Sequence, residues 1–172
     1  MSKLDKILIA GVIIFLIILG KFAFAPRAYQ GSIPDPVQID LISPDVVYVS
    51  GEDSDIKIDL LAEYTIEAVI KSKKKYSDYS SQVAKYDVAL AWGDLNQNDI
   101  DEHIKYSQRG RWYYYTWDSD SSVNESYIAE HSANVHLINQ DSSVLKEIKK
   151  LDVKDHIKLT GYLVSVNFEN GP

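Results

Sequence analysis

Cysteine is absent from the 172 residues. That excludes disulfides, thiolate chemistry, a cysteine-linked lipid anchor and Cys-ligated zinc or iron–sulfur centres. Proline is scarce and uneven: Pro26, Pro34, Pro36 and Pro44 cluster, and only Pro172 lies elsewhere. Basic residues are sparse in the body of the chain. Residues 1–28 hold Lys3, Lys6, Lys21 and Arg27 against Asp5, a balance of +3, so the overall −7 leaves −10 on the remainder. A domain of that charge repels phosphate backbones, which argues against nonspecific nucleic-acid binding. Lys71, Lys73, Lys74 and Lys75 form the one basic run, and a run so short reads as a solvated turn between strands. HExxH and GxSxG patterns are missing as well, so no motif names a reaction.

What is present begins with a long apolar run. Residues 7–20 are all apolar or small, Lys21 interrupts them, and Phe22, Ala23, Phe24 and Ala25 extend them. As a helix, residues 7–25 would span about 28 Å, close to the ~30 Å hydrocarbon core of a bilayer. A buried core helix would need a polar face, and this run has none. Lys3 and Lys6 with Ala23-Phe24-Ala25 have the form of a cleavable signal peptide, yet Pro26 would follow the cut and block it. The expectation is therefore an uncleaved transmembrane signal anchor over 1–25, with Lys21 snorkelling to the headgroups. The flanking charges favour an N-terminus inside and a domain outside, single-pass in a bacterial inner membrane, the C-terminal domain periplasmic or extracellular. A Pro-rich linker over 26–45 then spaces a globular domain, 46–172, from the bilayer.

The domain reads as α+β: one mainly antiparallel β domain with two or three short helices, a partly open OB-type barrel being the special case. Strands are expected over 46–49, 56–60, 64–70, 86–92, 111–117, 134–138 and 157–166. Helical spacing predicts a short helix over 99–106. Val144, Leu145, Ile148 and Leu151 make an amphipathic stripe for another, capped by Asp141 or Ser142.

Four segments carry a resemblance: DVALAWG at 87–93, QRGRWYY at 108–114, HSANVHLI at 131–138 and IKLTGYLV at 157–164. In this order, over roughly residues 60–166, the chain resembles a family of small, uncharacterised, membrane-anchored bacterial proteins. The resemblance implies a shared domain and a bacterial origin. It brings no mechanism with it.

His131, Ser132, Asn134 and His136 are the densest polar cluster near expected strands. In extended backbone Asn134, His136 and Ile138 share one face, and Ala133, Val135 and Leu137 the other. The cluster is open to four readings: a structural network at a strand entry, a binding site, acid–base work by His136 with Ser132 as nucleophile, or metal ligation by His131 and His136. The five-residue separation is not a standard ligand spacing, so no metal or other cofactor is expected. Arg111 and Trp112 open an aromatic strand with both faces occupied, one for the core and one for a glycan or protein partner. Asp94, Asn96, Asn98, Asp99 and Asp101 resemble a calcium loop, but the sixth and twelfth positions hold Asp99 and Lys105 where Gly and Glu are needed. Asn124-Glu125-Ser126 fits a glycosylation sequon, of little meaning in a bacterial chain. The expected function is non-enzymatic: a membrane-anchored extracytoplasmic domain, binding or accessory, in an envelope complex with a protein partner. The alternative is a small hydrolase or ligand-binding enzyme using His131 and His136.

Overall fold

A computed structural model describes residues 29–118 and 120–168, together with the backbone of three short stretches in the N-terminal run. Those stretches are β1 (Leu8–Ile9), β2 (Ile13–Ile18) and β3 (Ala23–Ala25). The chain continues as β4 (Val37–Ser50), β5 (Asp55–Lys75), β6 (Tyr86–Ala91), α1 (Asn98–Asp101), β7 (Ile104–Arg109), β8 (Trp112–Trp117), α2 (Glu125–Glu130), β9 (Ser132–Asn139), α3 (Ser142–Lys150) and β10 (His156–Asn167). Single 3-10 turns lie at Tyr79–Gln82 and Asp94–Asn96. The large sheet runs β3-β10-β2-β9-β6-β5-β4 and closes on itself where β10 also pairs with β5. Its pairings are antiparallel apart from β2 with β9. The smaller sheet is β1-β8-β7. The fold is thus mainly antiparallel β with a few short helices, as composition and periodicity predict.

The run expected as a transmembrane helix lies partly outside the described residues (7, 10–12 and 19–22), and its described stretches are short extended pieces of backbone. Among the described residues no helix is long and apolar enough to cross a membrane.

β5 organises the core. Ile56, Ile58, Leu60, Ala62, Tyr64, Ile66 and Ala68 alternate inward, and Lys57, Asp59, Leu61, Glu63, Thr65 and Glu67 point outward. The two strands expected at 56–60 and 64–70 are one, because Leu61-Ala62-Glu63 keeps the alternation and supplies no turn residue. Ile66, Val69 and Ile70 meet Val88, Leu90, Val135, Leu137, Leu159, the α3 residues Val144 and Ile148, and Leu151 at the α3 C-cap. Burial in this cluster pushes the Tyr64 hydroxyl up to about 12. The α3 helix starts where its cap allows: the Asp141 carboxylate accepts from the Ser143 and Val144 amides at 2.7 and 3.0 Å.

Three further departures from expectation have local causes. Val37 to Asp45, read as linker, is the first half of β4, since its prolines lie before the strand or at the register shift between Asp40 and Asp45. The lysine run ends β5 and makes no turn. Lys71 pairs with Asp101 at 2.6 Å, and Lys73 donates to carbonyls at the end of α3, Lys149 at 3.1 Å and the C-cap Leu151 at 2.7 Å. The helix expected over 99–106 stops at Asp101, and Ile104 opens β7 instead. Inward Ile104, Tyr106 and Gln108 alternate there with exposed Lys105, Ser107 and Arg109.

Candidate functional site

The β7–β8 hairpin is the piece that builds the site. Arg109 and Trp112 are paired across a two-residue turn, Gly110-Arg111, in which both residues have positive φ, 59° and 69°. That is the primed turn whose twist suits a hairpin. Glycine adopts it freely, but an arginine there carries a left-handed penalty of roughly 1–2 kcal/mol. Four hydrogen bonds from the Arg111 side chain offset it.

The hairpin lies over one face of β6 and β9. Tyr113 and Tyr115 point into a cluster with Ala89, Ala91, Leu95, Ile100, Ile104 and Ile128, and Trp112 and Tyr114 point away. The division of β8 into a core face and an outward face follows the alternation expected of it, although the strand begins one residue later, at Trp112. Tyr113 donates to the Ser132 carbonyl at 3.0 Å, and burial pushes its hydroxyl up to about 12. Tyr106 beside it is pushed up by the same cause.

At the hairpin tip the chain gathers charge. Asp87 on β6 is fully buried and stands directly opposite His136 on β9. Its Oδ1 lies 2.8 Å from His136 Nδ1 and accepts from Arg111 Nη1 at 2.8 Å. The same Nη1 donates to the Ala84 carbonyl at 2.8 Å. The other side of the guanidinium forms a fork with Asp78, Nε to Oδ2 at 2.9 Å and Nη2 to Oδ1 at 2.5 Å. Tyr76 covers the guanidinium face at 4.3 Å. Burial draws the Arg111 value down, but Asp78 and Asp87 outweigh it and leave it raised. Reciprocally, Arg111 holds Asp78 below the usual carboxylate range. Asn134 completes the arrangement: its amide donates to the Arg111 carbonyl at 2.9 Å and its oxygen accepts from Gln108 at 2.7 Å.

Of the residues singled out in the sequence, Arg111, Asn134 and His136 come together. Ser132 and His131 do not join them. The Ser132 hydroxyl donates to the Ile128 carbonyl at 2.6 Å, an α2 terminus contact, and faces Tyr113 rather than a histidine. His131 stacks on Tyr127 at 3.8 Å and donates Nδ1–H to the Tyr127 carbonyl at 2.9 Å. Five residues of strand, about 17 Å, separate it from His136. Trp112 is more than a third exposed, outside the network. Among the described residues no group of three His, Asp or Glu side chains is placed to hold a metal. In the stretch resembling a calcium loop, Asn96 is buried and donates to the Ala91 carbonyl at 3.1 Å, and Asp101 pairs with Lys71.

Sequence reasoning missed three residues around Arg111: Asp87, Asp78 and Tyr76. Asp87 stands in an otherwise apolar strand, YDVALA, and a lone carboxylate in such a run is itself a signal of a buried partner. Asp78 and Tyr76 lie in an irregular connection and carry no such mark. Chemically the arrangement is a closed clamp: one buried carboxylate shared between a histidine and an arginine, itself braced by a second carboxylate. No family model, curated protein or solved structure matches the chain.

Proposed function

We propose that the chain is a membrane-anchored, extracytoplasmic domain of a bacterial envelope, a binding or accessory protein that works through its outer surface. The observation that carries binding over catalysis is the sealing of the polar cluster. Asp87, Ser132, Asn134 and His136 are all buried; Asp87 Oδ1 lies against Arg111 and His136, the Ser132 hydroxyl is bonded to the Ile128 carbonyl, and the Asn134 amide is bonded to Gln108 and the Arg111 carbonyl. A hydrolase needs a nucleophile beside a base and a path for substrate. Here Ser132 addresses a helix carbonyl, and His131 lies against Tyr127, outside the cluster that holds His136. The outward groups, by contrast, include Trp112 and Tyr114 on β8 and a row of apolar residues on β4.

The anchor reading rests on the run over 7–25. Nineteen residues with a single lysine need burial wherever they lie. Pieces of that run lie along β8, β9 and β10, and we take the bilayer as its place in the cell. The same reading includes the family resemblance over 60–166 and a partly open OB-type barrel, with β5 shared between β10 and β6 and, in the anchored form, the opening between β9 and β10 where β2 lies in the structure.

Membrane fractionation with C-terminal reporter fusions tests this. The full chain should pellet with membranes and resist carbonate extraction, a phosphatase fusion should be active, and deletion of residues 1–28 should release the protein. A carbonate-soluble full chain, or an active cytoplasmic reporter with a silent phosphatase, overturns the proposal.

A further inference from the structure

The second edge of β4 has no partner strand among the described residues, because β4 ends the sheet. It is an unusual edge. Natural edges are kept short, bulged, or guarded by lysine, since an open row of backbone donors and acceptors invites another strand. This one is 14 residues long, broken once by the shift around Pro44. Its outer face carries Val37, Ile39 and Tyr48, each more than half exposed, with Val46 and Leu61 beside them, and Ile42 is fully exposed. Leu41, Val47 and Val49 on the other face pack on the core, so the strand is held firmly in place.

Charge says what such an edge accepts. Residues 28–56 contain Asp35, Asp40, Asp45, Glu52, Asp53 and Asp55 and not one lysine or arginine. Lys57, the first cation after them, is paired with Asp59 at 2.7 Å. Asp40 and Asp45 flank the break in the strand, and Glu63 lies opposite Ile39 on β5. A second copy laid antiparallel on this edge would set its own acids against these, at a cost of several kcal/mol for like charges brought together. An anionic bilayer surface is repelled for the same reason.

We infer that β4 is a strand-addition site for an extended segment of another protein, one in which apolar residues alternate with lysine or arginine. Backbone bonds to the free edge give the affinity. Val37, Ile39, Val46 and Tyr48 receive the apolar side chains, and the acids select the basic ones. The inference deepens the proposed binding role and rests on it.

The test is site-specific photo-crosslinking of the full-length chain in its native membranes, with the photoreactive residue at Ile42 on β4 or at Trp112 on β8, and adducts mapped to the residue by mass spectrometry. The expected result is an Ile42 adduct within a segment of a different protein that alternates apolar and basic residues. Ile39→Lys, on an exposed side chain, should reduce that adduct about tenfold or more. An Ile42 adduct to a second copy or to lipid overturns the inference, as does an adduct indifferent to Ile39→Lys. Adducts at Trp112 with none at Ile42 sink the β4 site and leave the binding role standing. Adducts at neither position sink both.

Discussion

The Arg111 clamp makes a quantitative demand on stability. Arg111→Ala removes the cation from a fully buried carboxylate and leaves Asp87 facing His136 alone. Breaking a buried pair in this way costs about 3–5 kcal/mol. Asp87→Asn is gentler, because Arg111 keeps the Asp78 fork and the Ala84 carbonyl, and about 1–3 kcal/mol is expected. Since both changes dissolve the same contact, the double variant should fall short of the sum by roughly 1–3 kcal/mol. Arg111→Gly separates side chain from backbone. It loses the same bonds but relaxes the left-handed turn, so it should be about 1 kcal/mol more stable than Arg111→Ala. Urea unfolding of the full chain in mild detergent, followed by the fluorescence of Trp92, Trp112 and Trp117, reads all four variants on one scale. An Arg111→Ala loss below ~1 kcal/mol, or strict additivity in the double variant, would show that the guanidinium is a surface group and the clamp an accident of packing.

Other consequences are narrower. Gly93 has φ +60°, and a β-carbon there would stand 2.5 Å from His131 Cδ2 and 2.8 Å from the Tyr127 hydroxyl; Gly93→Ala should cost about 2 kcal/mol or more, while Gly110→Asn, with open space around it and a residue tolerant of the left-handed region, should change the melting temperature little. Lys71 is nearly buried, and burial draws its ammonium down; Lys71→Met should stay within ~1 kcal/mol of wild type, whereas Asp101→Asn, which strands the cation, should lose more. His103 is raised by its hydrogen bond to Asp118, 2.9 Å from Nδ1. Its contribution is then complete below the unfolded histidine value of about 6.5 and lost as pH rises through the higher folded value. Proton NMR should show that raised titration in the wild type and its return toward the ordinary value in Asp118→Asn; an identical midpoint in both would remove the pair from consideration.

What was legible in the sequence follows the range of the forces involved. Alternation within a strand is local, so the two faces of β9 and of β8 follow from the residues themselves. Ala133, Val135 and Leu137 join one core cluster, and Tyr113 and Tyr115 another. The α3 stripe and its Asp141 cap are equally local. The helix α2 was overlooked because Asn124-Glu125-Ser126 suggests a sequon, although the Asn124 side chain serves as an N-cap, accepting from the Tyr127 amide at 2.9 Å. Register is not local. Nothing in the sequence says that β6 and β9 align Asp87 with His136, or that a hairpin tip 24 residues after Asp87 returns to the same carboxylate. His131 and His136 attracted attention for being close in sequence. In extended backbone, closeness in sequence at an odd separation puts two side chains on opposite faces and far apart.

The same geometry explains why the polar residues and the reactive surface part company. Polar groups buried in a sheet under a hairpin are costly unless they are paired, and an unpaired charge in that layer would cost several kcal/mol. Histidine, asparagine and serine on β9 are therefore recruited as partners for the turn, for the helix end and for Asp87. Those partners fix their side chains in place. The β4 edge has the opposite constraint. Its outer edge has no partner strand among the described residues, its outer face carries exposed apolar side chains, and its six neighbouring acids are balanced by no cation in residues 28–56. Net negative charge opposes self-association, and that repulsion guards this edge where lysines usually would. A guard made only of negative charge admits positive chains and no others, so the protection of the edge and the selectivity of the site come from the same residues.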